Sequence, residues 1–534
     1  MPLSLRRGVT AGFWYCVGKK CCFSYPLRCD SLTIDSPFAS PATVGSPLQR
    51  TCLVKIDRVE AINLLYKYPP PGGFRYAGGM CTGRVTTIIL VHTDSGEIGV
   101  GSVYSHPALV HLIVEKQLDE LLRGQDPTQV EELWQKMAAI TLWYGRKGAA
   151  VSALGGVDTA LWDLRGKAAG KPVWQLLGGE RPECPAYASG LLWNDIDALA
   201  AEAAAHVEAG FRRVKMRLAR SEAFDREAVK AVRASIGPNC DIMVDTSMRY
   251  HLELARRMGR FFAEQGVFWY EEPFAPDDID AYCALRGTVS VPISAGENEF
   301  GLQGFRELIR AGAVDILQPD ASRCGGISEV RRVALLAAEH GLRIATHTWS
   351  DAVAITANAH VVAAAPNGIT VEVDRTSLPF IDQLLVEPLD IRDGQLQLSG
   401  APGLGIELNF EVVDRYRMAD PLDLPLGSYS DMMFGRSIFR GHSNTWRSGD
   451  DRLPPARRVA RLNADRNDES PRRRGGRIRR VSASPASPWA PSADRSPARG
   501  RPPPSPAWRR RRRRGGRPGR RPDRGVPADR RPGS

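Results

Sequence analysis

Residues 211–220 read FRRVKMRLAR. An apolar run closes there on Lys215 and Arg217, two residues apart. In a strand that spacing puts both side chains on one face. Like charges side by side repel and normally face water, so a strand ending this way needs a special surrounding. The downstream sequence describes one. CDIMVD closes on Asp245, VFWYEE carries Glu271, VPISAGE closes on Glu297, VDILQPD on Asp320 and LRIATH on His347, and ITVEVD carries Glu372. The intervals run from 23 to 30 residues, about one strand–helix unit, and helical stretches such as DREAVKAVRASIG and ISEVRRVALLAAEHG fill them. Strand–helix alternation repeated this often predicts a parallel sheet closed into a barrel. The competing open, doubly wound sheet would carry a Gly-rich phosphate turn after an early strand, and none is present.

In a parallel barrel every C-terminal strand end lies on one face. Eight ionisable side chains would then converge on one bowl. Helix N-caps account for an acid after one or two strands, but not for seven successive strands. Asp245, Glu271 and Glu297 come from consecutive strands, and three carboxylates in one bowl need a counter-charge to stay ionised. An oxygen-only set with open positions suits Mg²⁺, and the absence of Cys or His from it argues against Zn²⁺. Asp320, one strand before His347, can hold one ring nitrogen and raise the basicity of the other. Arg217 and a nearby metal are expected to lower the Lys215 pKa toward a working base, while Arg217 binds a substrate carboxylate. Either Lys215 or His347 serves as the principal base. Glu372, if protonated, would donate a hydrogen bond to the substrate oxygens. The chemistry implied is removal of a proton next to a carboxylate, with the cation stabilising the enediolate.

Upstream, residues 1–54 lack periodicity and read as an extension. Residues 55–184 open with strands (VKIDRVEAINL, VTTIILVHTDSGEIGVGSVY) around a Pro/Gly-rich stretch expected to be a mobile loop, then turn helical. That order predicts an α+β domain. The barrel is expected over 185–398, and a returning segment over 399–435. The last 99 residues, 436–534, hold 29 Arg, no Lys and 8 acids. The whole chain carries +12, so residues 1–435 carry about −9. An acidic body argues against nucleic acid as the main partner. The tail cannot bury a core. It reads first as coding sequence run past the natural end of the domain, then as a disordered appendage, and last as an RNA-binding tract. Ten cysteines without a paired spacing do not form a disulfide framework. No apolar run approaches a membrane span. A cytoplasmic homo-oligomer acting on a small molecule is expected.

The stretch GGVDTALWDLRGKAAGKPVWQLLGG (155–179), with the series KxR, D, EEP, GEN, QPD, H and E, resembles the mandelate racemase/muconate lactonizing group of the enolase superfamily. The resemblance covers about residues 55–435. It implies a modified (β/α)7β barrel beneath an α+β capping domain that the C-terminal segment completes. It also implies that PPPGGFRYAGG (69–79) helps choose the substrate and that Glu271, rather than Glu272, is the metal ligand. Within the group, VKMR, VDILQPD, VEVDRTSLPF, PGLGIELN and YSDMMFG are similar to galactarolactone cycloisomerases. That likeness implies β-elimination on a sugar acid or its lactone, giving a 3-deoxy-2-keto diacid. Dehydration or racemisation of an acid sugar are the alternatives within the superfamily, and a non-catalytic sugar-acid-binding regulator is the alternative outside enzymes. Two departures bear on the substrate. Arg217 stands where many members carry a second lysine, and TW follows His347 where VW-Gly is expected.

Overall fold

The computed structural model describes residues 54–69, 72–425, 428–429 and 432–434. The N-terminal extension and the Arg-rich tail lie outside the described residues.

The chain opens with β1 (Ile56–Lys67), a small hairpin of β2 (Phe74–Tyr76) and β3 (Gly79–Cys81), then β4 (Gly83–Thr93) and β5 (Ile98–Val103). β4 pairs antiparallel with β1 along its length and with β5 on its other edge. The hairpin occupies the stretch whose composition predicted a mobile loop. Helices follow: α1 (Pro107–Ile113), a π-helical turn, α2 (Asp119–Leu122), α3 (Val130–Thr141), α4 (Ala149–Ala169) and α5 (Val173–Leu176). α4 is buried almost throughout. Two adjacent glycines let it approach both halves of the molecule. A Cβ at Gly156 would lie 2.3 Å from Val103 of β5, and one at Gly155 would lie 2.7 Å from the Gly326 backbone. Its acids tie the same surfaces together. Asp163 accepts Val100 N–H and Leu404 N–H, and Asp158 accepts Ser328 N–H.

The barrel runs through β6 (Glu183–Ser189), α6 (Ile196–Glu208), β7 (Arg213–Arg217), α7 (Glu222–Ile236), β8 (Asp241–Asp245), α8 (Leu252–Glu264), β9 (Val267–Glu271) and α9 (Ile279–Arg286). It continues through β10 (Ile293–Ala295), α10 (Gly301–Ala311), β11 (Ile316–Leu317), α11 (Gly326–Glu339), β12 (Arg343–Thr346), α12 (Ala352–Ala364) and β13 (Gly368–Asp374). Eight parallel strands stand in sequence order, and β13 pairs with β6 to close the ring. Seven helices separate eight strands, which is the (β/α)7β plan. Caps start several of the helices: Ser221 accepts Phe224 N–H, and Asp351 accepts Val353 and Ala354 N–H. The strand interior is plugged by Tyr187, Met243, Trp269, Ile316 and Ala345.

After α13 (Pro379–Asp382), the hairpin β14 (Ile391–Arg392) and β15 (Gln395–Gln397) joins β6 antiparallel. The chain then passes α14 (Phe410–Tyr416) and β16 (Ser428–Tyr429). β17 (Met432–Met433) pairs with β4, so the last described strand belongs to the first sheet. Among the described residues no helix is long and apolar enough to cross a membrane.

Candidate active site

Parallel pairing puts Arg217, Asp245 and Glu271 in register on β7, β8 and β9. Glu297 lies two residues past β10, on a turn through Gly296, whose φ of 135° suits glycine. Ligand oxygens of Asp245, Glu271 and Glu297 lie within 4.8 Å of one another. Asp245 Oδ1 accepts Ser247 N–H at 2.7 Å. Glu271 Oε2 accepts Trp269 Nε1–H at 2.9 Å and Gln318 Nε2–H at 2.7 Å. Glu297 Oε2 is buried without a hydrogen-bond partner among the described residues, 3.5 Å from His347 Nε2. An orphaned oxygen within a cluster of hard donors fits a divalent cation such as Mg²⁺.

Lys215 is fully buried. Its Nζ lies 2.6 Å from Glu271 Oε1, 2.8 Å from Glu372 Oε1 and 3.9 Å from Asp245 Oδ2. The opening puzzle resolves in those contacts: like charges share a strand face because acids of β8, β9 and β13 surround them. The lowering expected of the Lys215 pKa rested on Arg217 and a bound cation together, and the protein groups alone do not produce it. Burial and Arg217 push it down, but Glu271 and Glu372 outweigh them and hold it above its ordinary value. Glu372 also departs from expectation. Burial favours its neutral form, but Lys215 and His347 hold it well below the usual carboxylate range. It is an acceptor here, taking Thr348 N–H at 2.9 Å. Arg217 pairs with Asp245 and stacks on Trp349, 4.8 Å from the ring centre.

His347 follows β12 by one residue, and Asp320 lies three residues beyond β11 rather than ending it. The two meet, with Nδ1 2.8 Å from Asp320 Oδ2. Asp320 is fixed in turn by Ser322 N–H and Oγ–H and by Asn358 Nδ2–H. With Nδ1 engaged, Nε2 faces the cavity. Burial lowers the imidazole pKa, but the bare charge of Glu297, with Glu372 and Asp320, outweighs it and lifts it to about 9. A cation held by Glu297 would offset the largest of these and favour the neutral imidazole that can act as base.

The cavity over these groups is about 90 Å³. Arg217, Glu297 and His347 reach its wall, whereas Lys215 lies beneath the floor. Phe74 and Tyr76 of the hairpin and Met432 of β17 bring the capping sheet to it. Sequence reading did not single out Tyr104, Asn298 or Arg323, which also line it, as does Trp349 of the TW pair after His347. The GEN stretch was in view, but nothing in a strand period says where a residue beyond the strand will point. Trp349 lies between Arg217 and the buried Arg84 of β4, 5.4 Å from the latter. Arg84 joins Asp374 at 2.8 Å and the Trp349 carbonyl at 2.9 Å, which locks cap to barrel. Glu272 has a φ of 37°, in the left-handed region, and accepts from Asn298 Nδ2–H.

Residues 74–178 match the family described as mandelate racemase/muconate lactonizing enzyme, N-terminal domain, and residues 198–412 match the one described as enolase C-terminal domain-like. The chain is 35% identical to the D-galactarolactone cycloisomerase of Agrobacterium fabrum over 381 residues, 69% of this chain and all of that one. It is 34% identical to the arabinonate dehydratase of Saccharolobus solfataricus over 61% of this chain and 89% of that enzyme. The crystal structure of a racemase from Streptomyces coelicolor A3(2) with bound magnesium superposes with a TM-score of 0.63 at 31% identity, covering 68% of this chain and all of the other. A closed eight-strand barrel, three clustered carboxylates from neighbouring strands and full-length relatives of this kind lead to one assignment: the chain is an enzyme of the enolase superfamily, in the mandelate racemase/muconate lactonizing group.

Proposed function

We propose that the enzyme removes the proton α to the carboxylate of a sugar acid or its lactone and then eliminates the β-oxygen, in the manner of a galactarolactone cycloisomerase. The observation that carries this reading is His347, held on Nδ1 by Asp320 at 2.8 Å with Nε2 beside the carboxylate cluster. Asp245, Glu271 and Glu297 would hold Mg²⁺, which when bound lowers the cost of the negative charge that develops on the substrate carboxylate. The chain's own groups do the rest. His347 Nε2 takes the α-proton, and Asp320 stabilises the imidazolium that results. Between Lys215 and His347, the cavity wall favours His347 as base, because Lys215 is sealed under two acids. Arg217, over the Trp349 ring, can pair with a substrate carboxylate. Lys215 and Glu372 fix the Glu271 side of the cluster. The electron pair of the Cα–H bond forms the enediolate and then the Cα–Cβ double bond, and the β-carbon–oxygen bond breaks. From a lactone the leaving group is a carboxylate, which needs no proton. From a hydroxyl it is water, which requires His347 to return the proton it took.

Dehydration of an acid sugar is the second reading, favoured by the likeness to an arabinonate dehydratase. A non-catalytic sugar-acid-binding regulator would have no use for the intact His347–Asp320 pair. The test is a screen of acid sugars and their lactones with Mg²⁺, followed by exchange in D₂O. Lactone consumption with formation of a keto diacid supports the cycloisomerase reading. Turnover of open-chain acids alone moves the assignment to dehydration. Absence of both turnover and α-proton exchange across the panel overturns enzymatic proton abstraction.

A further inference from the structure

The cavity carries a cation that the proposed chemistry leaves unused. Arg323 lies in the loop between β11 and α11, three residues after Asp320. Its guanidinium lies 5.0 Å from the Tyr104 ring centre and 5.2 Å from that of Phe300. One terminal nitrogen donates to Asn298 Oδ1 at 2.8 Å. Asn298 is itself held, because its amide nitrogen donates to both oxygens of Glu272 at 3.0–3.1 Å. The guanidinium is thus oriented by two rings and one amide, with little freedom left to lose. Yet its Nε is buried and has no hydrogen-bond partner among the described residues. Arg323 is half-buried as a whole, but a buried donor left unpaired on a cation is costly. Where that cation lines a ligand cavity, the missing partner is most simply supplied by the ligand.

Position in the barrel adds a second observation. β7, which carries Arg217, and β11, which leads to Arg323, are four strands apart in a ring of eight. The strands that lead to the two arginines therefore stand on opposite sides of the barrel, and both side chains line the one cavity. Arg217 is engaged by Asp245, whereas Arg323 contacts no carboxylate directly in the hydrogen bonds above. A guanidinium with a free donor recognises a planar anion best.

We propose that Arg323, oriented by Asn298 and stacked between Tyr104 and Phe300, is a second carboxylate-binding residue. It would take the far carboxylate, so that the enzyme selects sugar diacids and their monolactones over monocarboxylic sugar acids. The inference rests on the proposed function and adds the specificity of the same site. Charge-assisted hydrogen bonds of this kind are worth roughly 10- to 100-fold in discrimination.

The experiment compares matched hexarates and hexonates, and their lactones, as substrates of the full chain with Mg²⁺. The readout is the ratio of kcat/KM for diacid over monoacid. Arg323→Gln is expected to lower that ratio about 10- to 100-fold, and Arg323→Lys, which keeps charge but not the fork, to give an intermediate ratio. Affinities measured by calorimetry in a His347→Asn background should show the same change in ratio without turnover. If Arg323 only packs Tyr104 against Phe300, Arg323→Gln weakens diacid and monoacid alike. An unchanged ratio in a variant that still turns over acid sugars overturns the second subsite while leaving the proposed function standing. A wild-type protein that neither binds nor converts any acid sugar overturns both.

Discussion

Two layers of the barrel interior sit one step apart on the same strands. The lower layer holds Tyr187, Met243, Trp269, Ile316 and Ala345, all buried and packed on one another. Two residues further along the same strands come Ser189, Asp245, Glu271, Gln318 and His347, also buried. A strand period of two puts both sets on the inward face, so the sheet treats them alike. What differs is the company they keep. The lower layer needs only shape. The upper layer needs a partner for every charge, and it takes some from below, as when the Trp269 indole donates to Glu271. The contrast teaches that a packed floor is what lets this mouth concentrate charge: the floor excludes water and supplies oriented donors.

Substitutions can break that contrast. The largest effect should come from Glu271→Gln, which keeps shape but removes a ligand charge. Turnover should fall on the order of 10⁴-fold, and the rise in Tm on adding Mg²⁺ should disappear. Mg²⁺-dependent turnover and thermal unfolding read the two effects. His347→Asn should cost about 10³-fold in kcat while leaving the Mg²⁺-induced rise in Tm intact, which separates proton transfer from metal holding. A metal response lost in His347→Asn would show that the two functions are not separate.

Two of the buried histidines sharpen the same comparison. His347 sits among acids and is pushed up, whereas His360 of α12 lies among neutral groups, bonded to Trp174 N–H and the Leu404 carbonyl. Burial lowers His360 from 6.5 to about 4. Between those pH values the unfolded chain binds the proton and the folded chain does not, so this group's contribution is lost as pH falls from 6.5 through 4. The loss approaches about 3 kcal/mol. Urea unfolding between pH 7 and 4.5 should show the slope, and His360→Gln should flatten it. The smallest expected effect is Trp269→Phe. Removing one donor to Glu271 should weaken Mg²⁺ binding by roughly tenfold, read by titration of the Tm rise, with only about 1–2 kcal/mol lost in stability.

The sequence made the barrel legible because strand ends repeat at a steady interval and each carries a chemically distinct residue. β6 fell outside that rhythm because it ends on Ser189, which is uncharged. The residues at the mouth were visible in kind, but their electrostatics were not. Lys215 was expected to be depressed by Arg217 and a nearby metal, yet spacing along one strand says nothing of Glu372 arriving from β13 at 2.8 Å. Arg84 was equally hidden. A single arginine in a strand of the first sheet gives no sign that it will pair with Asp374, 290 positions later.

One consequence concerns synthesis. β4 is made early, but the strand that completes its edge and brings Met432 to the cavity wall lies some 350 positions away, as the Thr82–Met433 contact records. The ribosome therefore releases nearly the whole barrel before the reaction chamber can acquire its last wall. Closure of so long a loop is slow relative to local helix formation, and a nascent chain halted before Met432 would expose a partly assembled pocket to the protein-folding machinery rather than to substrate.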